Sequence, residues 1–146
     1  MKKKYSLVTG CAGFIGSHMV DLLLKKKHIV FGIDNLTSGK IKNLKNAKIN
    51  ENFIFIKGDL GKVLNSKNIK KNIKKIDYVF HFAGHGELIP SIEKPLEYFK
   101  NNAYNTVELL DFVGKNYDVK KFVYAASSSC YGIPDLYPTS ESAEIR

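Results

Sequence analysis

The chain is poor in the residues that mark several protein classes. It has no tryptophan, four prolines, two cysteines and, among its 23 cationic side chains, a single arginine at position 146. Cys11 and Cys130 lie far apart, in neither a metal-ligand spacing nor a disulfide framework, and read as free thiols of a reducing cytoplasm. Long apolar runs are missing too: Val20 to Leu24 is already broken by Asp21, far short of the roughly 20 residues of a membrane span. The basic start Met1-Lys2-Lys3-Lys4 is followed by no apolar stretch of the kind an export signal carries, so the expected location is cytoplasmic and not a membrane. The net charge of +9 comes almost wholly from lysine. These lysines are scattered among asparagines (Lys40, Lys42, Lys45, Lys48, then Lys62, Lys67, Lys70, Lys71, Lys74, Lys75), without interleaved aromatics or the arginine forks that suit phosphate and guanine. They read as solvated helix faces, and no nucleic-acid partner is expected.

What is present is ordinary for a globular chain: 44% apolar and 25% charged residues over 146 positions, one domain's worth of chain, able to bury about 68–70% of its unfolded surface. Short β-branched runs alternate with helix-like stretches. Tyr5 to Thr9 reads as a strand and Phe14 to Lys27 as a helix, with Ile15, Met19, Leu22 and Leu23 on its apolar face. His28 to Asp34 is a second strand, followed by a polar loop and a short helix ending near Lys48. Asn52 to Lys57 is a third strand, and Val63 to Lys75 a weak helix carrying Leu64, Ile69, Ile73 and, just beyond it, Ile76. Asp77 to Phe82 is a fourth strand. The longest helix spans Pro95 to Asn116, with Phe99, Val107, Leu110 and Phe112 as apolar positions, and Lys121 to Ala126 is a fifth strand. Strict β-α alternation predicts parallel strands joined by right-handed crossovers, in an α/β doubly wound sheet of Rossmann type, order 3-2-1-4-5. From Gly132 onward the chain reads as loop, so the sheet is expected to be incomplete at the carboxyl end.

The turn from first strand to first helix is Thr9-Gly10-Cys11-Ala12-Gly13-Phe14-Ile15-Gly16. Gly10 suits a sharp turn, Gly13 lets a diphosphate approach the backbone, and Gly16 lets the helix pack closely. The free N–H groups at the helix start would face the phosphates. An acid, Asp34, ends the second strand 18 residues after Gly16, where a carboxylate accepts from ribose hydroxyls and repels a 2′-phosphate. The predicted cofactor is therefore NAD rather than NADP. Asp59, after the third strand, suits the adenine amino group or, equally, the cap of the next helix. His81, inside an apolar strand, reads as a hydrogen-bonded core residue. No metal site is predicted.

In this order TGCAGFIGSH, GIDNLTSG, KGDL, HFAG, FKNNAYNTVELL and AASSSCYG resemble the extended short-chain dehydrogenases/reductases, and more narrowly the NAD-dependent nucleotide-sugar epimerases and dehydratases. The resemblance covers residues 5–142. Cys11 departs from it, standing where many members have glycine. The resemblance implies that Gly10, Gly13 and Gly16 hold the diphosphate with the main-chain N–H groups of Phe14 and Ile15. It implies Asp34 and Asn35 on the adenosine ribose, and Asp59 and Leu60 around adenine. Phe82, Ala83 and Gly84 would line the central groove, and Asn102 would hold the fourth and fifth strands in register. It makes Ser127 a catalytic hydroxyl on the sugar, flanked by Ser128 and Ser129, with His85 and Glu87 (and Ser91) near the substrate. Taken on its residues alone, Ser127-Ser128-Ser129 is equally a hydroxyl-rich turn.

The implied reaction is oxidation, epimerisation and re-reduction at one carbon of a nucleotide sugar, with a UDP-sugar the expected substrate. Such enzymes take their base from a Tyr-x-x-x-Lys helix. Here only Tyr117 has a lysine four residues on, and that pair runs into the fifth strand. The expectation is thus an NAD-binding domain over residues 1–131 and a loop over 132–146 leading toward a catalytic helix and sugar-binding domain that these residues do not include. An uncovered edge beside the fifth strand would invite self-association. A non-catalytic module that binds NAD or a partner chain is the alternative.

Overall fold

Five runs of β-branched and aromatic residues form the strands: β1 (Tyr5–Thr9), β2 (Ile29–Asp34), β3 (Phe53–Lys57), β4 (Tyr78–His81) and β5 (Lys121–Tyr124). The computed structural model describes residues 3–67 and 69–145. Met1 and Lys2 of the basic start, Asn68 in the third expected helix, and Arg146 lie outside the described residues. All five strands are parallel, in the order β3-β2-β1-β4-β5, as the alternation predicted. One row of paired residues closes the carboxyl ends: Ile56, Ile33, Thr9, His81 and Tyr124. One step beyond it stand Lys57, Asp34, Gly10, Phe82 and Ala125, with Asp34 and Lys57 still paired.

Helices cover both faces, as a parallel sheet with apolar strands requires. On one face α1 (Phe14–Lys25) and two 3₁₀ turns (Ile41–Leu44 and Ala47–Ile49) pack Val20, Leu23, Leu44 and Ala47 against Val8 and Val30. On the other, α2 (Leu60–Leu64), α3 (Ile69–Asn72) and α6 (Asn105–Asn116) pack Leu64, Ile69, Leu109 and Phe112 against Leu7, Phe31 and Val79. Between β4 and α6 run α4 (Leu88–Glu93), α5 (Pro95–Tyr98) and a π-helical turn, Phe99–Tyr104. No helix among the described residues is long and apolar enough to cross a membrane.

Several local expectations are corrected. The helix expected over 63–75 is two short helices, and the one ending near Lys48 is a pair of 3₁₀ turns. The segment after β4, expected to be loop, carries α4. The long helix contains a π turn over Phe99–Tyr104. Two apolar stripes are turned away from where periodicity put them. In α1 the buried side is Gly16, Ser17, Val20 and Leu23, leaving Ile15 and Leu22 exposed. In the long helix Phe112 is buried, but Phe99, Val107 and Leu110 are exposed, and Thr106, Leu109 and Val113 face the sheet.

His81 is fully buried at the end of β4. The Thr106 hydroxyl donates to the Asn102 carbonyl at 2.7 Å, so its oxygen accepts from His81 Nε2–H, 2.9 Å away. A neutral imidazole then presents Nδ1 as an acceptor, which takes the Thr9 hydroxyl. Thr9 Oγ1 in turn accepts the Ala83 N–H at 3.3 Å. Every member of this series has a single direction, and it ties β1, β4, the loop after β4 and α6 together. Burial holds the His81 pKa down to about 4.

That value predicts acid sensitivity. Below about pH 6.5 the unfolded chain protonates this imidazole, whereas the folded chain stays neutral until near pH 4. Stability is therefore lost as pH falls through that window, by up to about 1.4 kcal/mol per unit and on the order of 3 kcal/mol in all. His28, bonded to Ser6 Oγ and lowered mainly by its burial, acts in the same direction. Urea unfolding at pH 7, 5.5 and 4 should show the loss, and His81→Gln should have a shallower slope. Equal slopes in the two proteins would remove His81 as its source.

Candidate functional site

The glycine turn is built by atoms that are missing. Gly10 has φ +65°, and a Cβ there would lie 2.8 Å from the backbone of Phe82 and Ala83. A Cβ on Gly16 would lie 2.1 Å from the Gly10 carbonyl oxygen, which therefore rests directly on the first turn of α1. Gly13 differs: its Cβ would meet only the Gly10 oxygen, at 3.2 Å, with its other sides open. No side chain caps α1 and its first turn carries no acid. The main-chain N–H groups of Phe14 and Ile15 thus stand at an open, electropositive helix start. Cys11 is packed beneath the turn, and burial pushes its thiol pKa far above the ordinary range.

From this turn a groove runs across the carboxyl edge of the sheet. It is lined by Gly10, Gly13, Asp34, Asn35, Asp59, Leu60, Phe82, Ala83 and Gly84, all singled out in the sequence. Asp34 is buried, and its carboxylate accepts Ala12 N–H and Leu36 N–H, each at 2.8 Å. It thereby binds the end of β2 to the glycine turn while still facing the groove, with spare lone pairs on both oxygens. Gly39 is stacked against it: a Cβ there would lie 2.8 Å from Asp34 Oδ1. Asp59 stands at the start of α2 without a side-chain cap bond, so the capping half of its expected chemistry is not used.

Phe82, Ala83, Gly84 and His85 also border a second recess of about 530 Å³. Glu87, Ser91, Tyr98, Asn102, Tyr124 and Ser127 line its remainder. Ser127 precedes a 3₁₀ turn, Ser128–Tyr131, accepting Ser129 N–H at 3.1 Å and donating to Ser129 Oγ at 2.9 Å. Ser128 and Ser129 belong to that exposed turn rather than to the recess lining. Asn102 clamps the loop after β4: its Oδ1 accepts His85 N–H at 2.7 Å and its Nδ2 donates to the His85 carbonyl at 2.8 Å. These bonds hold a loop, not the β4–β5 register that the resemblance implied. Tyr98 donates to Glu87 at 3.2 Å, and desolvation together with that carboxylate raises its pKa.

Thr37, Ser38, Gly39, Gly58, Asn101 and Asn105 also line the groove and were not picked out from the sequence. For the last two a signal existed: Asn101-Asn102 and Asn105-Thr106 are polar pairs one helical turn apart, on the side of a helix that meets the core. Among the described residues no cluster of His, Cys, Asp and Glu is grouped to hold a metal.

Residues 7–146 match a family model described as GDP-mannose 4,6 dehydratase. UDP-glucose 4-epimerase of Streptococcus mutans is 35% identical over 141 residues, covering 96% of this chain and 40% of the relative. UDP-N-acetylglucosamine 4-epimerase from Methanobrevibacter ruminantium M1, solved with UDP-N-acetylmuramic acid, is 39% identical with a TM-score of 0.82, over 100% of this chain and 45% of that one. UDP-glucose 4-epimerase from Bifidobacterium longum, solved with NAD⁺ and UDP, is 32% identical with a TM-score of 0.85, over 98% and 43%. The chain spans about 40% of the length of the curated relatives it matches.

The glycines should separate into two kinds by stability. Gly10→Ala incurs about 1–2 kcal/mol for a left-handed non-glycine residue plus a backbone collision, and Gly16→Ala meets a carbonyl oxygen. Each should cost more than about 2 kcal/mol, although alanine alone would favour the helix at position 16 by about 0.5–1 kcal/mol. Gly13→Ala should stay within about 1 kcal/mol of the parent. Urea denaturation of the three variants measures this. A Gly13 variant as unstable as the other two would contradict the open space at that position.

Proposed function

The chain belongs to the GDP-mannose 4,6 dehydratase family, and from that membership we propose that these residues form the NAD-binding part of a UDP-sugar 4-epimerase. The observation that carries the reading is the groove from Asp34 past the open side of Gly13, bordered through Phe82 to His85 by the recess that reaches Ser127. Its donors and acceptors fit the parts of NAD in order. The Phe14 and Ile15 N–H groups and the bare backbone at Gly13 suit the diphosphate. Asp34 and Asn35 suit the adenosine ribose, and Asp59 and Leu60 the adenine. Bound NAD would supply the hydride acceptor and donor for chemistry at a sugar carbon. Phe82, Ala83 and Gly84 form the floor that orients it, with Gly16 and Asn102 holding the walls. Residues 1–131 are the nucleotide-binding domain in this reading, and 132–146 a connecting loop toward the sugar side.

Asp34 supports NAD over NADP. A 2′-phosphate would come against a buried carboxylate already wedged between Ala12 N–H, Leu36 N–H and Gly39, and like charges repel strongly where water is excluded. Calorimetry should show NAD binding at least tenfold tighter than NADP. Gly13→Val should abolish it by filling the diphosphate approach, and Ser127→Ala should leave it unchanged. Equal binding of NADP would refute the Asp34 argument, and equal losses in the two variants would refute the assignment of roles.

Ser127, Ser128, Ser129, His85 and Glu87 are proposed to meet the sugar, with Ser127 orienting its reacting hydroxyl. Tyr98, Tyr117 and Tyr124 do not suit a base. Tyr117 donates to the Ile73 carbonyl at 2.8 Å and burial raises its pKa. Tyr98 is raised too, and Tyr124 stacks on His81. The lysines that lie over tyrosine rings do so at the opposite, amino end of the sheet, on Tyr5 and Tyr78. General-base catalysis contributes about 10²–10⁴-fold, so the 146-residue chain with NAD should give no measurable epimerisation of UDP-glucose or UDP-N-acetylglucosamine by chromatography. Robust turnover would show that His85 or another of these side chains serves as base.

A further inference from the structure

Asn105 opens α6 beside the groove, 4% exposed, and its side-chain oxygen is a buried polar atom with no hydrogen-bond partner. The other end of the amide is engaged: Nδ2 donates to Asn101 Oδ1 at 3.4 Å, which turns Oδ1 the opposite way, into the space over Gly61. The point where a Gly61 Cβ would stand lies 2.8 Å from Glu108 Oε2, 3.3 Å from Asn105 Oδ1 and 3.8 Å from Asp59 Oδ1. Asp59 and Asn105 are also the two residues shared between the groove and the recess that continues it between α2 and α6. Three acceptor oxygens therefore surround the space over Gly61; that of Glu108 borders only the recess, while Asp59 and the buried, unpaired Asn105 Oδ1 stand where recess and groove meet. A buried acceptor left without a donor is destabilising, so native structures rarely keep one unless a ligand or water supplies the donor.

We infer that Asn105 is a specificity-determining residue for the purine of the dinucleotide, its Oδ1 accepting one hydrogen of the exocyclic amino group of adenine while Asp59 accepts the other. An amino group is the part of the ligand that donates twice from one atom, and this pair of oxygens offers two acceptors and no donor. A 6-oxo purine would set a third acceptor against them. The inference rests on the NAD reading above and adds the residue that tells adenine from its deaminated form.

The test is calorimetric titration of the 146-residue chain with NAD and with nicotinamide hypoxanthine dinucleotide, repeated for Asn105→Ala and Asn105→Ser. The parent chain should prefer NAD at least tenfold. Asn105→Ala should weaken NAD binding and shrink the preference about tenfold, the scale of one buried acceptor losing its donor. The preference is a ratio, so a partly unfolded variant lowers both affinities alike and leaves it intact. Where Asn105→Ala melts too low to titrate, Asn105→Ser gives the same comparison. A parent that binds both dinucleotides equally, or variants whose preference stays within twofold of the parent's, overturns the role of Asn105 while the NAD reading stands. A parent that binds neither dinucleotide overturns both.

Discussion

A neutral histidine at the carboxyl edge of the sheet supports the rest of the site. His81 has no exposed surface, yet both its ring nitrogens are engaged, by Thr9 on β1 and Thr106 on α6. In a low-dielectric interior such a series is either complete or costly, since breaking one member strands a buried donor or acceptor. Completion here fixes more than the ring. Thr9 also accepts Ala83 N–H, and Thr106 also donates to the Asn102 carbonyl, while Asn102 clamps His85 through both its amide groups. The loop from Phe82 to His85 is held from both ends by one continuous set of bonds.

That loop is what the glycine turn stands on. Gly10 presses its backbone against Phe82 and Ala83, and Gly16 lies against the Gly10 carbonyl. The position of the α1 amino end is thus inherited, contact by contact, from the β4 loop and from His81 beneath it. Asp34 closes the other side by accepting Ala12 N–H. A carboxylate that both secures the turn and faces the groove is already oriented, so on the proposed NAD reading it would have little side-chain freedom left to lose on binding.

The strand order and the line of the groove were legible because they depend on short-range patterns: β-branched runs, a glycine spacing, and an acid ending a strand. The helices were legible only in part. In α1 and α6 apolar residues occupy two sides, and periodicity cannot say which side meets the sheet. The structure buries the side with small residues, Gly16 and Ser17, or with polar residues that have partners, Thr106 and Asn105. Ile15, Phe99, Val107 and Leu110 are left outside. A stripe of apolar residues says nothing of polar ones between them, so Asn101 and Asn105 went unassigned although they line the groove. Asn102 was singled out, but its bonds go to the His85 loop. The partners that decide such roles lie 17 to 25 residues away, beyond any local pattern.

The two ends of the groove differ in how firmly their polar groups are set. At the adenosine end Asp34 and Asn105 are buried, and they stand where β1, β2 and α6 converge. At the Ser127 end the hydroxyls sit on an exposed turn and bond mainly to one another. Around that end Leu88, Ile89 and Ile92 are about three-quarters exposed. A hydrogen bond aimed from a buried, fixed acceptor discriminates by the cost of leaving it unpaired, on the order of 1–3 kcal/mol. An exposed hydroxyl has water as an alternative and discriminates far less. On the proposed NAD reading, selectivity exercised by these residues would concentrate on the ribose and the base of the nucleotide. At the Ser127 end the exposed hydroxyls would supply position but little discrimination, because water competes for their hydrogen bonds.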